Sequence, residues 1–378
     1  MNITRLSFLI SAAISYISLS AELPAFEIVD TNVPKSSYGT ITRMDVKSEN
    51  LNDKVTIDIW TPADYDATAE KRYPVLYAHD GQNLFDGNFS FIGVPWAVDK
   101  ICCQLADDPD FVMPIVVGIS NRGMVRPNDY FPENVLEYIS PEDVENTLAY
   151  QSMNNTFYGN AHAAFVATEL KPLIDSLYAT APSMPTTFVM GSSMGGLSSM
   201  YLLCEYPEVF AGAACLSTHW IGSLSYNPDW SVNDDEVCAN AILQYLDTHL
   251  PKDNQHKIYM DQGTEGLDAL YLRYEDQARE IARNNGYTEE NGRLKVYDAD
   301  GAGHNEIFWQ ARLHIPLSFI LTKEAPGNSC IDDLLPDPTI TPCDNSIYDI
   351  SGRKYRSEDL DNLPAGIYIQ YGKKIIKR

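Results

Sequence analysis

Three short runs carry side chains that could do covalent chemistry, and their order along the chain limits what that chemistry is. The first is Gly191-Ser192-Ser193-Met194-Gly195, read as a sharp turn from an apolar strand (Thr186–Met190) into a helix (Leu197–Tyr206). Such a turn holds the central serine at its tip with its hydroxyl exposed, and glycines at the flanks leave room for the backbone. A serine hydroxyl attacks a carbonyl only when a base takes its proton. The second run, Gln262-Gly263-Thr264-Glu265-Gly266-Leu267-Asp268, follows an apolar strand (His256–Asp261) and offers two carboxylates. The third, Asp300-Gly301-Ala302-Gly303-His304-Asn305-Glu306, follows the strand Arg293–Tyr297 and offers an imidazole. Taken alone, each describes a turn: a Gly/Ser bend, a solvated acidic loop, a loop histidine. Together they give serine, then acid, then histidine, the order that a nucleophile elbow requires. Histidine is the side chain best suited to take and return a proton at neutral pH, and His304 is the candidate base. Asp268 is preferred as the acid that fixes the imidazole, with Glu265 the alternative. His79 and His219 also end strands but precede the acid loop, and His314 falls within a helix.

The developing oxyanion needs two backbone donors. Met194 N–H follows the serine directly. The run His79-Asp80-Gly81-Gln82-Asn83, after the strand Tyr73–His79, supplies Gln82 N–H as the second, with Gly81 allowing close approach. Asp80, Gly81 and Trp220 are candidate substrate contacts, and Trp96, Tyr130 and Phe131 are aromatic residues suited to sugar or phenolic rings or to the core. A fold that places these runs together is an α/β one. Apolar strands alternate with helical periodicity from Tyr73 to Leu321, which predicts a mostly parallel sheet covered on both faces, with active groups beyond the carboxyl ends of its strands. Further elements are an antiparallel pair (Gly39–Glu49, Lys54–Trp60), a strand Phe111–Ile119, helices Ala97–Leu105, Ala161–Tyr178, Glu236–Leu250, Leu270–Asn284 and Glu306–Leu321, and a strand Phe210–Ser217. Asn121–Thr156, rich in Asn, Pro and Tyr, reads as an irregular insertion on the substrate side.

The ends differ from this domain. Residues 1–20 combine Arg5, an apolar run from Leu6 to Leu19 and small residues before Ala21, the pattern of a secretory signal peptide cut after Ser20. Residues 21–323 form the α/β domain, 324–344 a Pro-rich linker, and 345–378 a small β-type module with runs at Ser346–Ile350, Ile367–Tyr371 and Lys374–Ile376. The 378 residues carry a formal charge of −25, which argues against nucleic acid as a partner, since that affinity comes from Lys and Arg on phosphates. The seven cysteines lack metal-ligand spacing. Cys204 and Cys215 lie in apolar runs as buried thiols, and Cys330 with Cys343 could pair in an exported chain. No metal or organic cofactor is expected.

The motifs His79–Asp86, Gly191–Gly196, Asp261–Asp268 and Gly303–Glu306 with Trp309 and Arg312 resemble those of the esterase group of α/β-hydrolases. That group includes feruloyl and acetyl-xylan esterases of carbohydrate esterase family one, enterochelin-type siderophore esterases and S-formylglutathione hydrolases. The resemblance covers about Asp45–Leu321. It implies Ser193 as nucleophile and His304 as base, while members differ in where the acid stands. With export, it implies acetyl or feruloyl esters on plant polysaccharides or oligosaccharides as substrate. A siderophore trilactone esterase is the alternative, and a non-catalytic carbohydrate-binding protein on the same fold is the alternative of another class. The tail Ile347–Arg353, Pro364–Ile369 and Gly372–Lys374 resembles C-terminal sorting modules of Bacteroidetes type IX secretion cargo, implying engagement with export machinery and a secreted, cell-surface or periplasmic location.

Overall fold

The computed structural model describes residues 23–222, 233–323, 347–349, 354–355, 363–364, 366–370 and 373–377. The expected signal peptide, the linker and the Cys330–Cys343 pair lie outside the described residues. Nine strands form one sheet in the order β1-β2-β3-β5-β4-β6-β7-β8-β9. They are β1 (Phe26–Ile28), β2 (Thr40–Ser48), β3 (Asp53–Thr61), β4 (Val75–His79), β5 (Ile115–Ile119), β6 (Thr187–Ser192), β7 (Gly212–Leu216), β8 (Lys257–Gly263) and β9 (Leu294–Ala299). Pairing is antiparallel from β1 through β3 to β5 and parallel from β5 to β9. This is the mostly parallel sheet that the alternating pattern predicts, and it agrees with the α/β-hydrolase fold that the resemblance implies.

The central strands are apolar on both faces because both faces are covered. On β4, Val75 and Tyr77 enter one core cluster while Leu76 and Ala78 enter the other. On β6, Val189 faces the first cluster, and Phe188 and Met190 the second. Side chains alternate across a strand, so one sequence run feeds two cores. The chain leaves β4 for β5 on one side and returns to β6 on the other. The crevice at that reversal lies beyond the carboxyl ends of β4 and β6, where the runs after His79 and around Ser193 emerge.

The helices around the sheet include α1 (Val98–Leu105), α2 (Met194–Glu205), α3 (Glu236–His249), α4 (Leu267–Asn284), α5 (Glu306–Arg312) and α6 (His314–Ile320). Three departures from the sequence reading have local causes. The expected single helix Glu306–Leu321 breaks at Leu313, since Pro316 has no N–H to give the Arg312 carbonyl. The helix expected from Ala161 to Tyr178 contains a π segment (Phe165–Leu170), and Pro172, just beyond it, cannot bond the Thr168 carbonyl. Asn121–Thr156 is not irregular but a chain of short helical turns, including Arg126–Tyr130, Glu133–Tyr138, Pro141–Val144 and Leu148–Ser152. Prolines sit at the start of two of these turns, and Asn128 Nδ2 donates to the carbonyls of Met153 (3.0 Å) and Thr156 (2.6 Å), holding the two ends of the segment together. At the C-terminal end, β10 (Ile347–Asp349), β11 (Lys354–Tyr355), β12 (Gly366–Gln370) and β13 (Lys373–Lys377) pair antiparallel in the order β11-β10-β12-β13.

Candidate active site

Ser193 stands between β6 and α2 with φ 56° and ψ −125°, a backbone state that non-glycine residues rarely adopt. The turn is tight enough that a Cβ on Gly191 would lie 2.3 Å from the Gly195 carbonyl oxygen. The strained peptide is fastened at both ends. Ser193 N donates to the Leu216 carbonyl (2.9 Å), and His219 N donates to the Ser193 carbonyl (3.1 Å). Met194 is the first residue of α2, so its N–H has no acceptor within the helix and is open to a ligand.

Across the crevice, Asp80 has φ 56° and leads into a single 3-10 turn, Gly81–Asn83. A Cβ on Gly81 would lie 2.4 Å from the Gly118 carbonyl carbon, so only glycine lets the turn lie against β5. Gln82, the middle residue, anchors the turn by accepting from Asn121 N at 3.2 Å through Oε1. The Asp80 carboxylate is engaged inside the protein: Arg126 grips it with two bonds of 2.7 Å, and Asn121 Nδ2 donates at 2.7 Å. Burial raises the Asp80 carboxyl, but Arg126 and Asn121 more than offset this and hold it below its ordinary range. Asp80 therefore braces the turn rather than presenting a free carboxylate to substrate.

Asp268 and His304 meet. His304 Nδ1 and Asp268 Oδ1 are 2.5 Å apart. Asp268 is fully buried, and its Oδ2 accepts from Gly263 N (2.7 Å) and Ser217 Oγ (2.7 Å). Burial pushes its carboxyl upward, yet the bonds from His304, Ser217 and Gly263 win and hold it below the usual carboxylate range. Asp268 is not a loop residue, as its position after β8 suggests, but part of the first turn of α4, which begins at Leu267. It heads the buried stripe Asp268, Tyr271, Glu275, Ala278 and Ala282, and a carboxylate there meets the positive end of the helix dipole. Glu265 is exposed, and only its backbone is used: with Thr264 it donates to the Ala302 carbonyl (3.0 Å each), tying the acid loop to the loop of His304. The imidazole is walled by Tyr271 and Trp309, edge-on at 5.6 and 5.0 Å between ring centres.

His79, His162 and His219 and the other candidate aromatics lie in the core, while His314 is exposed. His79 and His162 face each other beneath the elbow with Nε2 atoms 3.1 Å apart, and Ser198 and Ser199 of α2 bond the His79 ring at 3.1 Å each. Burial lowers the His79 pKa to about 4, and it drives His162 well below the ordinary imidazole value. Trp220, expected at the substrate, is fully buried, and its Nε1 donates to Glu275 at 2.6 Å. Trp96, Tyr130 and Phe131 are likewise buried. Sequence reasoning missed Ser217, Arg126 and His162. Ser217 is an ordinary strand-end residue in sequence, and the other two lie far from every recognised run, so nothing local marks them.

Comparisons with known proteins agree with this fold. Residues 48–319, well over half of the chain, match the family model described as "Putative esterase". The chain is 21% identical over 257 residues to the uncharacterized protein YbbA of Bacillus subtilis (strain 168), covering 66% of this chain and 86% of that protein. Its fold is similar to that of a ferulic acid esterase (TM-score 0.53, 18% identity, 75% of this chain and 98% of that one). It is also similar to an enterobactin esterase from Shigella flexneri (TM-score 0.52, 17% identity, 76% and 60%). At these identities the two solved structures speak for the fold.

Proposed function

The chain belongs to this esterase family and is a serine ester hydrolase, and from that premise we propose that Ser193 is its nucleophile, His304 its general base and Asp268 the acid that orients the base. The observation that carries the assignment is the bond from His304 to buried Asp268 on the same sheet edge as a serine held at φ 56°. Ser193 Oγ attacks the ester carbonyl while His304 Nε2 takes its proton. The carbonyl oxygen becomes an oxyanion between the N–H groups of Met194 and Gln82. Collapse of the tetrahedral species expels the alcohol, which takes the proton from His304. A water, deprotonated by the same ring, then attacks the acyl-enzyme and frees Ser193. Asp268 stays ionised throughout and stabilises the imidazolium.

The proposed substrates are acetyl or feruloyl esters on plant polysaccharides or oligosaccharides. The likeness to a ferulic acid esterase supports this. Export is proposed from residues 1–20 and from the C-terminal module. Among the described residues no helix is long and apolar enough to cross a membrane. A fluorophosphonate probe tests the nucleophile: folded protein is expected to be labelled at Ser193, and absence of labelling refutes the assignment. Hydrolysis of p-nitrophenyl acetate, methyl ferulate and acetylated xylan, compared side by side, tests the substrate class, and failure on both of the last two refutes it.

A further inference from the structure

Ser217 follows β7 and belongs to none of the three sequence runs, yet it is the best-connected hydroxyl of the site. It is fully buried and has φ 43°, a third non-glycine residue at positive φ beside Ser193 and Asp80. Its backbone is pinned there, since Ser217 N lies 2.8 Å from the Asp261 carbonyl and 3.0 Å from Asp261 Oδ1. Its Oγ has three polar neighbours: Trp309 Nε1 at 3.0 Å, Arg312 Nη2 at 2.8 Å and Asp268 Oδ2 at 2.7 Å. An indole N–H and a guanidinium can only donate. They occupy the acceptor side of the hydroxyl, and its one proton has a single remaining destination. Arg312 cannot turn away, because Nε and Nη2 also bond Asp261 at 2.9 and 2.8 Å.

We propose that Ser217 is a positioning residue, which directs its only proton to Asp268 Oδ2 and so leaves Oδ1 as the oxygen that receives His304 Nδ1–H. The proposal rests on the reading of Ser193, His304 and Asp268 given above. Gly263 N and Ser217 Oγ together fill Oδ2, so the carboxylate cannot rotate without breaking two bonds. With Oδ1 facing Nδ1, the imidazole keeps its proton on Nδ1 and presents a bare Nε2 to Ser193. The charged and titratable groups around the pair are Arg312 and Asp261 behind Ser217, Glu306 beside His304, and Tyr271, which in turn bonds His219. None of these donates to Asp268 Oδ2, so none replaces Ser217.

The test compares Ser217→Ala and Ser217→Cys with wild type in three measurements: thermal midpoint, kcat and KM on p-nitrophenyl acetate, and the pH profile of kcat/KM. Fluorophosphonate labelling of wild type and of His304→Ala comes first. If wild type is not labelled at Ser193, or His304→Ala is labelled as fast, the triad reading itself fails. With that reading standing, Ser217→Ala is expected to lose about ten-fold in kcat, the effect of one charge-assisted hydrogen bond, with KM within about two-fold. The acid limb of kcat/KM moves up by about half a unit, because a carboxylate with one donor fewer holds the imidazolium more strongly. Ser217→Cys, a weaker donor, falls between. A folded Ser217→Ala with an unmoved acid limb overturns the proposal, whether or not its thermal midpoint or kcat falls. If the alanine variant does not fold, the position of the acid limb in Ser217→Cys decides in the same way.

Discussion

Replacing Asp268 by Asn exchanges one oxygen for an amide nitrogen, and the structure dictates which way the amide faces. Oδ2 receives two donors, Gly263 N at 2.7 Å and Ser217 Oγ at 2.7 Å, whereas Oδ1 receives one, His304 Nδ1 at 2.5 Å. The Asn carbonyl therefore takes the Oδ2 side, and its NH2 faces the imidazole. A donor facing Nδ1 forces the proton onto Nε2, where the ring can no longer accept from Ser193. The loss is that of a wrong tautomer in a Ser-His-Asp site, about 10⁴-fold in kcat, or about 5 kcal/mol of activation free energy. Glu265→Gln alters an exposed side chain and is expected to stay within about two-fold. Steady-state kinetics on p-nitrophenyl acetate at neutral pH, with folding checked by circular dichroism, measure both. The reasoning is refuted if Asp268→Asn keeps more than about a tenth of wild-type kcat, or if Glu265→Gln is the change that abolishes turnover.

Two further outcomes follow from the elements around the elbow. Gly81→Ala sets a methyl 2.4 Å from the Gly118 backbone, so the turn carrying Gln82 must lift; kcat should fall about 10²- to 10³-fold, the loss of one oxyanion donor, and an unchanged kcat would remove Gln82 from that role. The His79 imidazole titrates near 4 when folded but near 6.5 when unfolded, so the unfolded chain binds the proton first and acid favours unfolding. Its contribution is complete above pH 6.5, is lost as pH falls towards 4, and amounts to about 3 kcal/mol. Urea unfolding of wild type and His79→Gln at pH 6.5 and 4 should show the stability loss across that interval shrinking by about this amount, and equal losses would contradict the assignment.

How far the site could be read from residues alone depends on whether a group acts through local pattern or through contact. Ser193 was legible because the turn that holds it needs glycines at fixed offsets, and Gly191 and Gly195 are in sequence where they are in space. The sheet was legible because strands buried on both faces must be apolar throughout, as β4 and β6 are. Asp268 was visible as a carboxylate after a strand, but its place in a helix was hidden by Gly266, which reads as a loop residue and in fact leads directly into α4. The break at Leu313 could have been read from Pro316, which lies inside an otherwise continuous apolar stripe. Arg126 could not: only the fold carries it to Asp80, 46 positions away in sequence. Trp220 shows the reverse error, an aromatic beside strand-end residues that the core uses to cover Glu275.

The short loop after β7 has a mechanical consequence. Leu216 and His219 grip the Ser193 peptide from both sides, and Ser217 between them grips Asp268. Displacement of this loop therefore carries Ser193 and Asp268 in the same direction. His304 comes from the loop after β9, a different part of the frame. On the proposed roles, the ring is joined to that pair by its bond to Asp268 and by the Ala302 carbonyl that Thr264 N and Glu265 N share, so it follows the acid while it passes a proton from Ser193 to the leaving alcohol.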